Sequence, residues 1–254
     1  MILDEKKNLL VLGCSFTVSE YKTFGEFISE KYDMNLHNLG IEGGSNFYIQ
    51  KKLIQFFAKN KNNSLFDDTF VIIGWSHPQR RLYWNNNKKD WFNDTNHINM
   101  KETDRFKEPF IHKTWAYKDR QNFATNFLNS SFSENSHYME HIISTQSFME
   151  LNKIPYIMFN SLWDMFSKGG MYQTNMAIDI DENESNPPNF GQPTINRVVW
   201  ANLVNENKFF EKVFVDMIGD DKSLWYSEQD SHPNEKAHKL WSDKLVKFIG
   251  DTYV

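Results

Sequence analysis

The first third of the chain alternates short apolar segments with segments of helical periodicity. Consecutive apolar residues predict strands at 8–13 and 70–74, because parallel strands that are covered on both faces are apolar at every position. A short second strand is predicted at 36–39. Between them, apolar side chains recur at the helical period over 23–33 and 46–59. Strands that are joined through helices pair in parallel, with right-handed crossovers. This alternation predicts an α/β fold.

The alternation returns in the second half of the chain. The sequence predicts a helix over 134–152, a strand over 154–159, and helical segments around 204–218 and 235–249. A chain of 254 residues is long enough for one sizeable core. We therefore predict a single domain over 1–254, built as a three-layer α/β sandwich around a parallel sheet of about five strands.

Two irregular stretches, 82–133 and 164–194, interrupt this pattern. The first is too rich in aromatic residues for disorder, so we expect it to contain short helices packed on the main body. Both stretches follow predicted strands. They are therefore expected to lie as insertions over the C-terminal edge of the sheet, where open α/β sheets bind ligands.

The composition argues against several classes of protein. The net charge is −5 at pH 7 and no basic stripe is interleaved with aromatic residues, which argues against a nucleic-acid surface. Cys14 is the only cysteine, which excludes an internal disulfide and a cysteine-based zinc site. The N-terminus carries charges where a signal peptide needs an apolar run, and no segment is long enough to span a membrane. We expect a cytoplasmic protein with no membrane partner; secretion without a signal peptide and packaging into a particle stay open.

A serine near the start of the chain and a histidine near its end form the first candidate site. Ser15 follows the first predicted strand in Gly13-Cys14-Ser15, and His232 precedes the last predicted helix in Asp230-Ser231-His232-Pro233. A serine at a strand-to-loop turn and a histidine beside a carboxylate are the parts of an activated nucleophile. The pattern predicts Ser15 as nucleophile, His232 as general base and Asp230 as the group that fixes its tautomer. Two alternatives are a helix-capping role for Ser15 and a metal site of Asp230, His232 and His238 that lacks an evident fourth ligand.

A glycine-containing loop follows the second predicted strand and leads into a helix. Glycines permit close approach of the backbone, and a helix N-terminus presents unpaired N–H groups to an anion. We predict an oxyanion donor in the Gly43 N–H, assisted by the Asn46 side chain. The alternative is a plain strand–helix turn in which Ser45 or Asn46 caps the helix. The loop is not a phosphate-binding loop, because the Gly-Lys-Ser/Thr ending is missing.

Polar residues also follow the third and fourth predicted strands. Ser76 is placed to offer a hydroxyl donor, and Arg80 or Arg81 to hold an anionic substrate group or a developing negative charge. The alternative for the arginines is ordinary solvation. Asn160 and Asp164, after the fourth strand, are expected to line the same pocket.

Four segments together resemble the sequence blocks of the SGNH, or GDSL-like, hydrolases. Gly13-Cys14-Ser15 looks like the nucleophile block of that family, and Gly43 looks like its glycine block. Gly74-Trp75-Ser76 looks like its third block, and Asp230–Pro233 like its histidine block. The order and location of the blocks match over nearly the whole chain.

Three positions depart from the family pattern. Cys14 replaces the aspartate beside the nucleophile, and Ser76 replaces the asparagine that donates to the oxyanion. Asp230 precedes His232 by two residues, where the family acid precedes the histidine by three. Glu228 or a backbone carbonyl could therefore orient the imidazole instead.

The resemblance implies a serine hydrolase of esterase type that acts through an acyl-enzyme. The family's frequent work on acetylated sugars implies small-molecule or carbohydrate O-acetyl esters as substrates, with no cofactor and no metal. Acyl transfer to a sugar would use the same intermediate. A binding or structural protein that has kept the fold and lost catalysis is the alternative from another class, and the departures at Ser76 and Asp230 favour it.

Overall fold

The structure is a computed structural model that describes residues 5–78, 80–85, 90–94, 131–162 and 203–253. Its helices and strands alternate along the chain as an α/β fold requires. In chain order they are β1 (Asn8–Leu12), α1 (Phe24–Lys31), β2 (Asn35–Asn38), α2 (Asn46–Asn60), α3 (Ser64–Asp67), β3 (Thr69–Trp75), β4 (Arg81–Asn85), β5 (Asp90–Asp94), α4 (Ser131–Leu151), β6 (Tyr156–Asn160), β7 (Phe209–Val213), α5 (Phe214–Ile218), β8 (Trp225–Ser227), β9 (Asp230–Pro233) and α6 (Glu235–Tyr253).

Five parallel strands form the central sheet, in the order β2-β1-β3-β6-β7. Strand β1 lies between β2 and β3, so that Leu10 pairs with His37 on one side and with Val71 on the other. Every residue of β1, β3 and β6 is buried, as expected for strands that are covered on both faces. The predicted parallel sheet of about five strands is confirmed.

Helices cover both faces of the sheet. Side chains alternate between the two faces along a strand, so Leu9 and Val11 point to one layer while Leu10 and Leu12 point to the other. The first layer contains α1 and α6, with Phe24, Ile28, Trp241, Leu245 and Ile249 in its core. The second layer contains α2 and α4, with Ile49, Leu53, Phe57, Ile142 and Met149 in its core. The three-layer sandwich is confirmed.

The fifth strand lies where the sequence predicted a helix. Phe209, Phe210 and Val213 recur at helical spacing, and α5 continues that pattern directly. In the structure, however, Phe209 pairs with Met158 of β6, and the register shifts before Val213 pairs with Asn160. The helical prediction for 204–218 is therefore wrong over β7, because pairing with the exposed edge of β6 outweighs a local pattern five residues long.

The first predicted insertion begins with a hairpin. Strands β4 and β5 pair antiparallel, with Arg81 opposite Asp94 and Trp84 opposite Trp91. The remainder of the first predicted insertion as far as residue 130, and the whole of 164–194, lie outside the described residues. Among the helices of the described residues, none combines the length and apolar character needed to cross a bilayer.

One ionisable side chain is buried in the core layer of α1 and α6. The imidazole of His238 has no exposed surface and packs against the rings of Phe24 and Phe214. Within the part of the chain that the structure describes, neither ring nitrogen has a hydrogen-bond partner. Burial without a partner disfavours the charged imidazolium and lowers the pKa of His238 to about 4.

We expect acid to destabilise the protein through His238. Because its pKa is lower in the folded than in the unfolded protein, the unfolded chain binds more protons between about pH 6.5 and 4. The buried neutral imidazole of His238 therefore makes its full contribution to stability above about pH 6.5, and this contribution is lost as the pH falls to about 4. Between about pH 7 and pH 4.5, the free energy of unfolding of wild type should fall by on the order of 2 kcal/mol more than that of His238→Leu. Urea denaturation at each pH measures both values. The exposed His137→Gln should follow wild type; equal pH slopes for wild type and His238→Leu would contradict the prediction.

Candidate active site

Ser15 lies in a tight turn that begins directly after β1. The carbonyl oxygen of Cys14 accepts hydrogen bonds from the Thr17 backbone N–H at 2.9 Å and from its hydroxyl at 2.7 Å. These bonds close the turn around Ser15. Cys14 and Phe16 point into the core, whereas Ser15 is only half-buried. The turn thus presents the Ser15 hydroxyl at the C-terminal edge of the sheet.

His232 and Asp230 lie beside this hydroxyl. The Nε2 atom of His232 is 3.0 Å from Ser15 Oγ, and its Nδ1 atom is 2.5 Å from Asp230 Oδ1. A carboxylate only accepts, so Nδ1 carries the proton and Nε2 is left as the acceptor for the serine hydroxyl. This is the arrangement that a general base requires. The structure thus brings together the three residues predicted as nucleophile, base and acid.

The strand geometry of β9 explains how an acid two residues before the histidine reaches its ring. Residues i and i+2 of a strand point to the same side, so Asp230 and His232 share one face of β9. Asp230 Oδ1 also accepts from the His232 backbone N–H at 3.0 Å. These two bonds lower the pKa of the Asp230 carboxyl and keep it ionised. Within the described residues, Asp230 and not Glu228 holds the imidazole.

A short hairpin and the helix that follows it carry this pair of residues. Strands β8 and β9 pair antiparallel, with Ser227 opposite Asp230. Asn234 caps α6, because its Oδ1 accepts from the Ala237 backbone N–H at 3.1 Å. Its Nδ2 donates to the Trp225 carbonyl at 2.9 Å, which ties β8 to the start of the helix. The sequence predicted the helix start but not the hairpin.

The loop after β2 approaches the nucleophile as the glycine pattern predicted. The Ile41 backbone N–H donates to the Gly13 carbonyl at 3.2 Å, and Gly44 donates back to Ile41 at 3.0 Å. Between them, Gly43 has a φ of 68°, in the left-handed region that favours glycine. Among the described residues, no group accepts a hydrogen bond from the backbone N–H of Ser15 or of Gly43. Both N–H groups are therefore available to an oxyanion.

Asn46 has a different role from the one predicted for it. Its Oδ1 accepts from the Ser76 backbone N–H at 2.8 Å, and its Nδ2 donates to the carbonyls of Ser76 at 3.1 Å and His77 at 3.4 Å. The side chain is 3% exposed. Since its amide is engaged by the loop after β3, Asn46 positions that loop rather than assisting Gly43. Ser45 caps α2, with its hydroxyl accepting from the Tyr48 N–H at 3.3 Å.

Ser76 and Arg80 form one hydrogen-bonded unit after β3. Ser76 is fully buried, and its Oγ accepts from Arg80 Nη1 at 3.0 Å. Arg80 is half-buried. Between them lies His77, whose pKa falls to about 4 because of burial and, secondly, the positive charge of Arg80. The side chain of Arg81 lies outside the described part of the chain.

The other residues considered from the sequence have clear outcomes where the structure describes them. Asn160 is buried, and its Oδ1 accepts from the Tyr138 hydroxyl. Asp164 lies outside the described residues. In the described ranges, no group of three or more His, Cys, Asp or Glu side chains could hold a metal. The alternative site of Asp230, His232 and His238 is not assembled, because the His238 ring packs in the aromatic core.

One contact near the site was not predicted at all. The Tyr226 hydroxyl of β8 donates to Glu20 Oε1 at 2.9 Å, and the rings of Tyr21 and Tyr226 are 5.4 Å apart. Glu20 and Tyr21 follow the turn that carries Ser15, while Tyr226 belongs to the hairpin that carries His232. The contact therefore joins the two segments whose spacing sets the Ser15–His232 distance. No local signal could identify it, because the partners are 206 residues apart.

No protein-family model and no curated protein sequence matches this chain. Solved structures do resemble it. TesA is 10% identical, with a TM-score of 0.50 over 97% of this chain and 99% of that chain. The chain has the fold of the SGNH hydrolases.

Two further solved structures align over almost the same length at lower TM-scores. The psychrotrophic esterase EstA from Pseudoalteromonas sp. is 12% identical, with a TM-score of 0.48 over 97% of this chain and 98% of that chain. A putative lipolytic protein of the G-D-S-L family from Desulfitobacterium hafniense is 10% identical, with a TM-score of 0.48 over 96% and 99%. At such identities, the likeness to solved structures is one of fold.

Replacing Asp230 by Asn should reveal which acid orients the base. The neutral amide can donate its NH2 to Nδ1, which favours the wrong tautomer of the imidazole, and it carries no charge to stabilise the imidazolium. We expect a fluorophosphonate to modify Ser15 on the order of a thousandfold more slowly. The matched Glu228→Gln variant should react at nearly the wild-type rate. A large loss in Glu228→Gln with little loss in Asp230→Asn would contradict this assignment.

Replacing Tyr226 by Phe should weaken the contact between the segment that follows Ser15 and the hairpin that carries His232. Loss of this one exposed hydrogen bond predicts a rate of Ser15 modification lower by about threefold to fivefold. Glu20→Ala should have a similar effect, whereas Glu20→Gln keeps an acceptor and should stay close to wild type. Equal rates in Tyr226→Phe, Glu20→Ala and wild type would show that the contact does not affect the site.

Proposed function

We propose that this protein is a serine esterase that works through an acyl-enzyme. The observation that carries the proposal is the 3.0 Å separation of Ser15 Oγ and His232 Nε2, together with the bond from Nδ1 to Asp230. A serine hydroxyl is a weak nucleophile at neutral pH, and an adjacent base removes its proton as it attacks. The general-base geometry is present before any substrate binds.

The first half of the reaction forms the acyl-enzyme. Ser15 Oγ attacks the ester carbonyl carbon while His232 Nε2 takes its proton, and the carbonyl oxygen becomes an oxyanion. Asp230 stabilises the imidazolium that forms. The intermediate then collapses: the bond to the alcohol oxygen breaks, and His232 returns the proton to the leaving alcohol.

The second half releases the acid. Water gives a proton to His232 and attacks the acyl carbon, and the bond to Ser15 Oγ breaks as the proton returns to Ser15. The free enzyme is restored with the ester cleaved into an acid and an alcohol. Neither half requires a cofactor.

The oxyanion would be held by two backbone donors and one hydroxyl. The N–H groups of Ser15 and Gly43 are available, and Ser76 stands where the family has an asparagine. Removing an oxyanion donor typically costs about 3 kcal/mol of transition-state stabilisation. We assign that third role to the Ser76 hydroxyl. Its oxygen accepts from the Arg80 guanidinium at 3.0 Å, which polarises the O–H bond and makes it a stronger donor.

The substrates that we propose are O-acetyl esters of small molecules or carbohydrates. This choice comes from the family resemblance of the four sequence blocks. Transfer of the acetyl group to a sugar hydroxyl would use the same acyl-enzyme. Aryl acetates assayed with and without a sugar acceptor would distinguish hydrolysis from transfer by their products.

Covalent labelling of Ser15 tests the proposal directly. A fluorophosphonate should modify the folded wild-type protein at Ser15, as located by peptide mass spectrometry. Neither Ser15→Ala nor the heat-denatured wild type should be labelled. A further control, Ser19→Ala, removes an exposed serine four residues away and should be labelled like wild type. A folded wild-type protein that resists labelling would overturn the esterase proposal in favour of a binding role.

A further inference from the structure

We propose that Arg80 forms an anion-binding subsite next to Ser15 and His232, so that the preferred esters carry a negatively charged group such as a carboxylate. This inference deepens the proposed esterase function and rests on it. The charged group is distinct from the oxyanion that forms during the reaction, since it is present on the substrate throughout.

The first argument is the location of Arg80 at the edge of the sheet that carries the nucleophile. Strands β1 and β3 are neighbours, and Leu12, the last residue of β1, pairs with Ile73 near the end of β3. The turn after β1 also packs against the end of β3, since a Cβ atom at Gly13 would lie 3.0 Å from the Gly74 carbonyl oxygen. Arg80 closes the loop after β3, where its backbone N–H donates to the His77 carbonyl at 3.1 Å.

The second argument is that no side chain among the described residues neutralises the charge of Arg80. A guanidinium has five N–H donors, and within the described residues the Arg80 side chain makes one hydrogen bond, to the neutral hydroxyl of Ser76. No carboxylate of the described part of the chain forms an ion pair with it. Arginine at a half-buried position is usually paired, because partial burial of an unpaired charge is costly. A bound carboxylate or phosphate would supply the missing partner through paired N–H bonds.

The third argument is the electrostatic character of the surrounding groups. Helix α2 begins beside this loop, to which Asn46 joins it, and its first turn contains no acidic residue. The positive end of the helix dipole is therefore not offset by a side chain. His77 is kept neutral by burial. The charge of the Arg80 guanidinium and the positive end of the α2 dipole thus both favour the binding of an anion.

A purely structural role would not need these features. Holding Ser76 requires one donor, which a neutral side chain such as glutamine can provide. The Arg80 guanidinium donates one hydrogen bond to Ser76 and contacts no carboxylate of the described residues. Its other N–H groups are available to a ligand. We therefore expect the rate of ester cleavage to depend on the charge of the substrate, and this dependence to change when Arg80 is replaced.

The test compares matched neutral and anionic esters. The first pair is 4-nitrophenyl acetate and mono-4-nitrophenyl succinate, which places the charge on the acyl side. The second pair is phenyl acetate and 4-acetoxybenzoate, which places it on the alcohol side. The measured quantity is the ratio of kcat/KM for the anionic ester to that for the neutral ester, with leaving-group reactivity calibrated against hydroxide.

Four proteins make the comparison specific to Arg80. Wild type should prefer the anionic ester of at least one pair by about tenfold, as expected for one charge-assisted contact. Arg80→Gln should bring that ratio close to one, and Arg80→Lys should retain part of it. Lys59→Gln removes the same charge from the exposed far end of α2, about 20 Å away, and should leave the ratio as in wild type. Added salt should reduce the wild-type preference.

The outcomes distinguish failure of the anion subsite from failure of the esterase proposal. If Ser15 is labelled but the ratio is near one in wild type, or is equal in wild type and Arg80→Gln, the anion subsite is overturned and the esterase stands. If Ser15 is not labelled, the esterase proposal fails, and calorimetry with succinanilate and neutral acetanilide then tests the subsite alone. Binding of succinanilate that is lost in Arg80→Gln supports the subsite, and equal binding overturns it.

Discussion

The candidate active site depends on the parallel pairing of β1 with β3. Leu12, the last residue of β1, pairs with Ile73, two residues before the end of β3, so that the turn with Ser15 and the loop with Ser76 leave the same edge of the sheet. The turn with Ser15 packs closely against the end of β3 because Gly13 has no side chain: a Cβ atom there would lie 3.0 Å from the Gly74 carbonyl oxygen. Any larger residue at this position would push the nucleophile turn away from the loop after β3.

A second constraint comes from the hairpin that carries the base. In a strand, alternate residues face the same way, so one face of β9 presents both a carboxylate and an imidazole. The shortened spacing between acid and histidine, which departs from the family pattern, is therefore compatible with an oriented general base. The hairpin is anchored at one end by Asn234 and at the other by the contact of Tyr226 with Glu20.

A chain of hydrogen bonds connects the start of α2 to Arg80. Asn46 holds the backbone of Ser76, and the Ser76 hydroxyl accepts from Arg80. Ser76 thus belongs to a hydrogen-bonded unit that carries the positive charge of Arg80. This arrangement offers a physical account of how a short hydroxyl could serve at this position, since the guanidinium polarises it.

The sequence by itself determined the layered core and singled out Ser15 and His232 as the candidate nucleophile and base. Uninterrupted apolar runs such as that of β1 can be satisfied only inside a covered sheet, and the residues that follow such strands meet at one edge. The sequence did not determine β7, the role of Asn46, or the choice of Asp230 over Glu228. Each of these depends on a partner distant in the chain or on the strand geometry of β9, whereas local patterns report only on neighbours a few residues away. Only the tertiary structure, by bringing the β6 edge, the loop after β3 and the β8–β9 hairpin into place, decided them.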